Sequence, residues 1–126
     1  MAQGFGKEIT IQSSRVSALK RKVKDSKDPD TIMMNIMEVF TDAELVPDVG
    51  KYYTFIYIPK TKDIEYDEHP LVAVTDIERW GFRGINFHWG QSRNYTWREI
   101  IGKLHVVEKN EIDYLKSLPF AKYRTK

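Results

Sequence analysis

At 126 residues, 41% hydrophobic and 30% charged, the chain has the composition of one globular domain with a real but small core, which excludes wholesale disorder. The absence of cysteine excludes disulfides, thiolate chemistry and cysteine-based zinc sites. No run approaches the roughly 18 apolar residues of a membrane span, and MAQGFGKEIT lacks a signal-peptide core, so a soluble, non-exported protein with no membrane contact is expected; the net charge of +2 says little about partners.

The charges are unevenly placed. Arg15, Lys20, Arg21, Lys22, Lys24 and Lys27 face the single acid Asp25, and an acidic stretch without Lys or Arg follows from Asp28 to Asp48. Such a basic arm suits nucleic acid or an acidic protein surface; two helices with mutually attracting solvated faces are the simpler reading. Both segments read as helical, near 13–27 and 29–41. In the first, Ser13 or Ser14 can cap the start, and Ile11, Val16, Leu19 and Val23 form a thin apolar stripe that needs a partner. In the second, Asp28 stands at an N-cap position, Pro29 at the first helical position and Asp30 at the positive end. Ile32, Met33, Ile36, Met37 and Phe40 then recur on one face. A Met-rich stripe can mark an adaptable groove, but core packing is the commoner use. Pro47, Asp48 and Gly50 mark a boundary, giving a helical extension over 1–48 and a β-domain over 49–126.

The β part opens with KYYTFIYIP (Lys51–Pro59). Tyr53, Phe55 and Tyr57 alternate with Tyr52, Thr54, Ile56 and Ile58, and both sets are largely apolar. This strand should therefore be covered on both faces, one by the sheet core and one by the helix carrying Met33 and Met37. HPLVAVTDI supplies a buried run at Leu71–Val74. Gly81 and Gly84 suggest a tight turn or bulge before INFHW. RNYTW follows, then one helical turn and a closing strand at Leu104–Val107. A short helix begins at an Asn110 cap, places Ile112, Leu115 and Leu118 on one side and stops at Pro119; the basic end AKYRTK is expected to fray. Short strands with little helix between them fit an α+β fold built on an SH3-like or related small β-barrel. Its expected core is Tyr53, Phe55, Tyr57, Leu71, Val72, Val74, Phe82, Ile85, Phe87, Leu104 and Val106.

Several of these segments resemble a known family. Gly50-Lys51-Tyr52, Pro59-Lys60-Thr61, Tyr66-Asp67-x-x-Pro70-Leu71-Val72 and Gly81-Phe82-x-Gly84-x-Asn86-x-His88 are similar to the pattern of a small protein family encoded by contractile-tailed bacteriophages. The likeness covers roughly 40 residues and leaves the N-terminal helices unmatched. His69, where an aromatic is usual, and Trp89-Gly90-Gln91 depart from the pattern. The resemblance implies a phage origin and a place in the virion or its assembly; it implies no reaction.

No catalytic signature, metal motif or phosphate loop accompanies it. His69, His88 and His105, with Asp67 or Glu68, could form an acid–base pair or a metal site, but their spacing matches no metal motif, and histidines satisfied by backbone groups are the better reading. Asn86 beside His88 could hold a substrate or close a buried network. Asp63, Glu65, Asp67 and Glu68 read as a solvated hairpin tip. Aromatics flanked by Arg83, Arg93 and Arg98 could stack bases. The expectation is a non-enzymatic virion component, in the tail, baseplate or head–tail region, without cofactors. It would contact other phage structural proteins within a homo- or hetero-oligomeric assembly through Val16, Leu19, Val23, Met34, Met37, Trp80, Trp89 and Trp97; a nucleic-acid-binding module is the alternative.

Overall fold

The computed structural model describes residues 13–125. Ser13 caps helix α1 (Ser14–Val23) by accepting from the Val16 amide, and Asp28 caps α2 (Pro29–Val39) by accepting from the Thr31 amide. Helix α1 ends short of the expected residue 27. Asp28 must be extended to cap α2 and to precede Pro29, so the chain breaks at Lys24, whose φ is 39°. The expected stripe residue Ile11 lies outside the described residues.

Six antiparallel strands follow in the order β1-β7-β2-β4-β5-β6: β1 (Ala43–Glu44), β2 (Tyr52–Tyr57), β4 (Leu71–Ile77), β5 (Gly81–Asn86), β6 (Gln91–Thr96) and β7 (Ile100–Val107). Two more, β3 (Glu65–Asp67) and β8 (Tyr123–Thr125), pair only with each other, and α3 (Ile112–Ser117) precedes β8. The protein is thus α+β. The large sheet ends at β1 and β6 with no ladder joining them, so it is not a closed barrel.

Strand β2 divides two cores, as its double apolar alternation predicts. Tyr53, Phe55 and Tyr57 lie with Val72, Val74, Phe82, Tyr95 and Leu104 on one side. Their rings meet edge-on: Phe55 stands 5.3 Å from Tyr95 and 5.7 Å from Phe82. On the other side Tyr52 and Ile56 pack against a cluster that joins Leu19, Val23, Met33, Ile36 and Phe40 to Leu71, Val107, Leu115 and Phe120. There the Thr54 hydroxyl reaches Met33 Sδ at 3.8 Å.

This second core corrects the expected division at 48/49. The helices and the sheet share it, so the described part of 1–48 is no separate extension. Val16, Leu19 and Val23 are fully buried inside the chain, and a thin stripe suffices because the sheet and α3 complete it. Of the expected core, Ile85 is exposed, and Phe87 and Val106 are only half-buried.

Three further expectations change. Gly81 and Gly84 lie within β5 and no turn falls between them: Gly81 closes the β4–β5 hairpin by accepting from the Glu78 amide, and Gly84 pairs with Val74 at the edge of an irregularity; a Cβ on Gly81 would fall 1.9 Å from the Tyr95 carbonyl oxygen, and one on Gly84 2.3 Å from Val72 Cγ1. Glycine is needed there so that neighbouring strands can approach. The irregularity sits opposite, in β4, between Val74 and Asp76. The last helix is entered through a turn at Lys109–Glu111 closed by a Glu108–Glu111 capping box, not by an Asn110 cap. Tyr123–Thr125 of the basic end does not fray but forms β8, with Tyr123 paired to Asp67 and Thr125 to Glu65.

Candidate functional site

The β3–β8 ribbon and the turn between β5 and β6 enclose the strongest candidate site. Strand β3 carries Asp67 into the interior, correcting its reading as part of a solvated tip: its residue exposure is 4%. Its Oδ1 accepts from the amides of His69 and Lys122, at 3.0 and 2.9 Å, and its Oδ2 accepts from His88 Nδ1 at 2.6 Å. Burial pushes the Asp67 carboxyl up. The hydrogen bond and charge of His88, with the two amides, outweigh that push and hold its pKa below the usual carboxylate range.

The His88 side chain is 5% exposed, and its ring stands edge-on to Phe120 at 4.9 Å. A carboxylate, not a backbone group, satisfies its Nδ1. Asn86 fixes the turn beneath: its Oδ1 accepts from the His88 and Trp89 amides, and its Nδ2 donates to the Tyr95 hydroxyl at 3.1 Å. Asn86 therefore closes a buried network. Among buried side-chain nitrogens and oxygens of the described residues, His88 Nε2 and Trp89 Nε1 stand without a partner.

Both residues line an open cleft of about 560 Å³, together with Glu65, Gln91, Tyr123, Arg124 and Thr125. The Arg93 guanidinium lies 3.6 Å over the Trp89 ring, and Trp89 stands 5.3 Å from Tyr123. A smaller, narrower cavity of about 60 Å³, lined by Asp67, Asn86, Trp89 and Tyr95 among others, lies beside it. Chemically, Asp67 fixes the tautomer and orientation of His88, as such carboxylates do in acid–base and metal sites. Among the described residues Nε2 has no hydrogen-bond partner, and His88 belongs to no group of three or more His, Asp or Glu side chains close enough to share an ion.

The other histidines follow the expectation. His69 Nδ1 lies 2.9 Å from the Phe120 carbonyl and His105 Nδ1 2.7 Å from the Phe40 carbonyl. Asp30, Glu68 and His69 lie close enough to share an ion. The Lys122 ammonium already stands 2.7 Å from Asp30 and 3.5 Å from Glu68, so this is an ion-pair cluster, not a metal centre.

The basic arm is divided. Arg15 is structural: it makes two bonds to the buried Glu111 and lies 4.5 Å over the Phe40 ring. Lys20 stands over Tyr114, and Lys22 reaches Glu38 at 3.6 Å. Arg21, Lys24 and Lys27 are exposed. Of the expected contact residues, Met34 and Trp80 are exposed, and Met37, Trp89 and Trp97 are half-buried. Trp97 donates its indole N–H to the Arg79 carbonyl.

A second surface was not anticipated. Leu45 and Val46, 73% and 60% exposed, border a groove of about 300 Å³ with Trp97, Ile100 and Gly102. The only sequence signal is an apolar pair in an otherwise acidic segment. Among the described residues no helix is long and apolar enough to cross a membrane. No protein-family model, curated protein or solved structure matches the chain.

Proposed function

We propose that this chain is a non-enzymatic structural component of a tailed-bacteriophage particle, made in the bacterial host cytoplasm and built into the virion through protein–protein contacts. The observation that carries this reading is the groove at the β1–β7 edge, where Leu45 and Val46 expose apolar side chains beside Trp97 and Ile100. Exposed apolar surface of this kind marks interaction sites. Strand β1 pairs with β7 only at Leu104 and His105, with Asp42 bonding the Val106 amide just before it, so this short edge strand leaves part of β7 for a partner to extend. The resemblance to the phage family supplies the setting, and kinship of the bent, open sheet with SH3-like barrels belongs to the same proposal. Other phage structural proteins are the intended partners, with Met34 and Trp80 as secondary contacts.

Mass spectrometry of purified virions of the encoding phage tests this directly. A fixed copy number per particle is the expected result. Absence from particles, with the protein confined to infected cells, would overturn it.

The second reading, a nucleic-acid-binding module, rests on exposed Lys20, Arg21, Lys22, Lys24 and Lys27. It requires affinity for DNA that falls steeply with salt and flattens when Lys20, Arg21 and Lys22 are changed to Ala.

A further inference from the structure

We infer that the cleft between β8 and the start of β6 binds a nucleobase, laid against Tyr123 with its edge toward the ring nitrogens of His88 and Trp89. Three observations converge. The first is the pair of unpartnered buried nitrogens, His88 Nε2 and Trp89 Nε1, in two adjacent residues that both line the cleft. A buried polar atom without a partner is costly, so such atoms mark places where a ligand or solvent completes the bonding.

The second is their complementary character. A carboxylate can only accept, so the bond to Asp67 puts the His88 proton on Nδ1. In the neutral ring Nε2 then remains an acceptor, while Trp89 Nε1–H is a donor. A ligand edge carrying one donor and one acceptor satisfies both, as the amide-like edges of nucleobases do.

The third is the wall. Arg93 lies over the Trp89 ring, Trp89 meets Tyr123 at 5.3 Å with the two rings tilted by 42°, and Tyr123 keeps 53% of its surface exposed. That leaves a flat aromatic face on which a base can stack. The lining sets Glu65 against Arg124, which is itself held 3.3 Å from Glu68, so the cleft does not select an anion. The volume of about 560 Å³ exceeds what a single carboxamide side chain fills, which favours a base over an Asn or Gln side chain of a protein partner. This inference is independent of the groove at the β1–β7 edge.

The test is a titration of the isotopically labelled full chain with adenosine, cytidine and uridine, followed through the indole N–H signals. N-acetylglutaminamide and inorganic phosphate serve as parallel probes. At least one nucleoside should shift the Trp89 signal saturably, while Trp97, already bonded to the Arg79 carbonyl, stays in place. Tyr123→Ala, at an exposed position, should weaken that binding by about tenfold or more. Trp89→Phe keeps a ring beneath Arg93 and should abolish the edge contact. No saturable shift with any nucleoside up to about 10 mM would overturn the inference and mean that the indole is satisfied internally. A response to N-acetylglutaminamide alone, or to phosphate alone, would overturn it too.

Discussion

Arg15 and Glu111, 96 positions apart, are joined by two parallel bonds, Nε to Oε2 at 3.0 Å and Nη2 to Oε1 at 2.6 Å. The carboxylate is almost wholly enclosed, with 1% of its side chain exposed, and it also accepts from the Glu108 amide. The pair therefore fastens α1 to the turn that starts α3. Removing the cation strands a buried charge, which costs far more than the pair contributes over an apolar substitute. Arg15→Ala should lower unfolding stability by about 3–5 kcal/mol in urea titration. Arg15→Met with Glu111→Leu should recover most of that loss; a single-variant loss below about 1 kcal/mol would show that Glu111 finds solvent.

Phe55 sits at the centre of the aromatic core, fully buried, with Tyr57, Phe82 and Tyr95 all edge-on to it. Phe55→Ala should cost about 3–5 kcal/mol, because the surrounding rings cannot collapse into the space. Denaturant midpoints measured at constant slope would check this.

The Asp67 carboxyl predicts behaviour in acid. Its folded pKa is held below the unfolded value, which is about 3.9, by His88 and the Lys122 and His69 amides against the opposing effect of burial. A depressed carboxylate stabilises the fold fully above its unfolded pKa, and that contribution is lost as pH falls through the lower folded pKa. Thermal stability should therefore decline as the pH drops below about 4. Asp67→Asn should be less stable at neutral pH and show a shallower decline. An unchanged acid limb would place the sensitivity elsewhere.

Leu45 and Val46 separate folding from assembly. Neither side chain is buried, so changing both to Glu should alter stability by no more than about 0.5 kcal/mol each. The same double variant should be lost from particles when it replaces the native protein during infection. Normal incorporation at native copy number would remove the groove from the contact surface.

Local signals in the sequence proved reliable where the physics is local. Asp28 and Pro29 start α2 because capping and a fixed φ act within one turn. The alternation of Tyr52–Tyr57 announced two covered faces because side chains in a strand point alternately. His69 and His105 meet backbone carbonyls, the usual fate of interior histidines. What stayed hidden depends on chain closure. Asp67 lies among other acids and looked solvated; only the return of Lys122 and the turn holding His88 bury it. Arg15 looked like one more member of a basic run, and nothing nearby in sequence indicates that Glu111 awaits it. The tail AKYRTK carries no apolar pattern, yet Tyr123–Thr125 is ordered by pairing with Glu65–Asp67, a relation no window of neighbouring residues contains. Helix α1 looked unpartnered because α2 covers only part of its stripe and the rest of the cover comes from the other end of the chain.

Adjacent residues of β2 answer to opposite sides of the molecule, Tyr53 to the aromatic core and Thr54 to Met33 beneath the helices. Neither core can come apart by local fluctuation without disturbing that strand, which at Tyr52, Tyr53 and Thr54 is also paired on both flanks, to β4 and to β7. The two cores should consequently melt as one cooperative unit. In native-state hydrogen exchange, the backbone protons of Tyr53 and Thr54 should be released only by global opening, long after those at the free edge of β6.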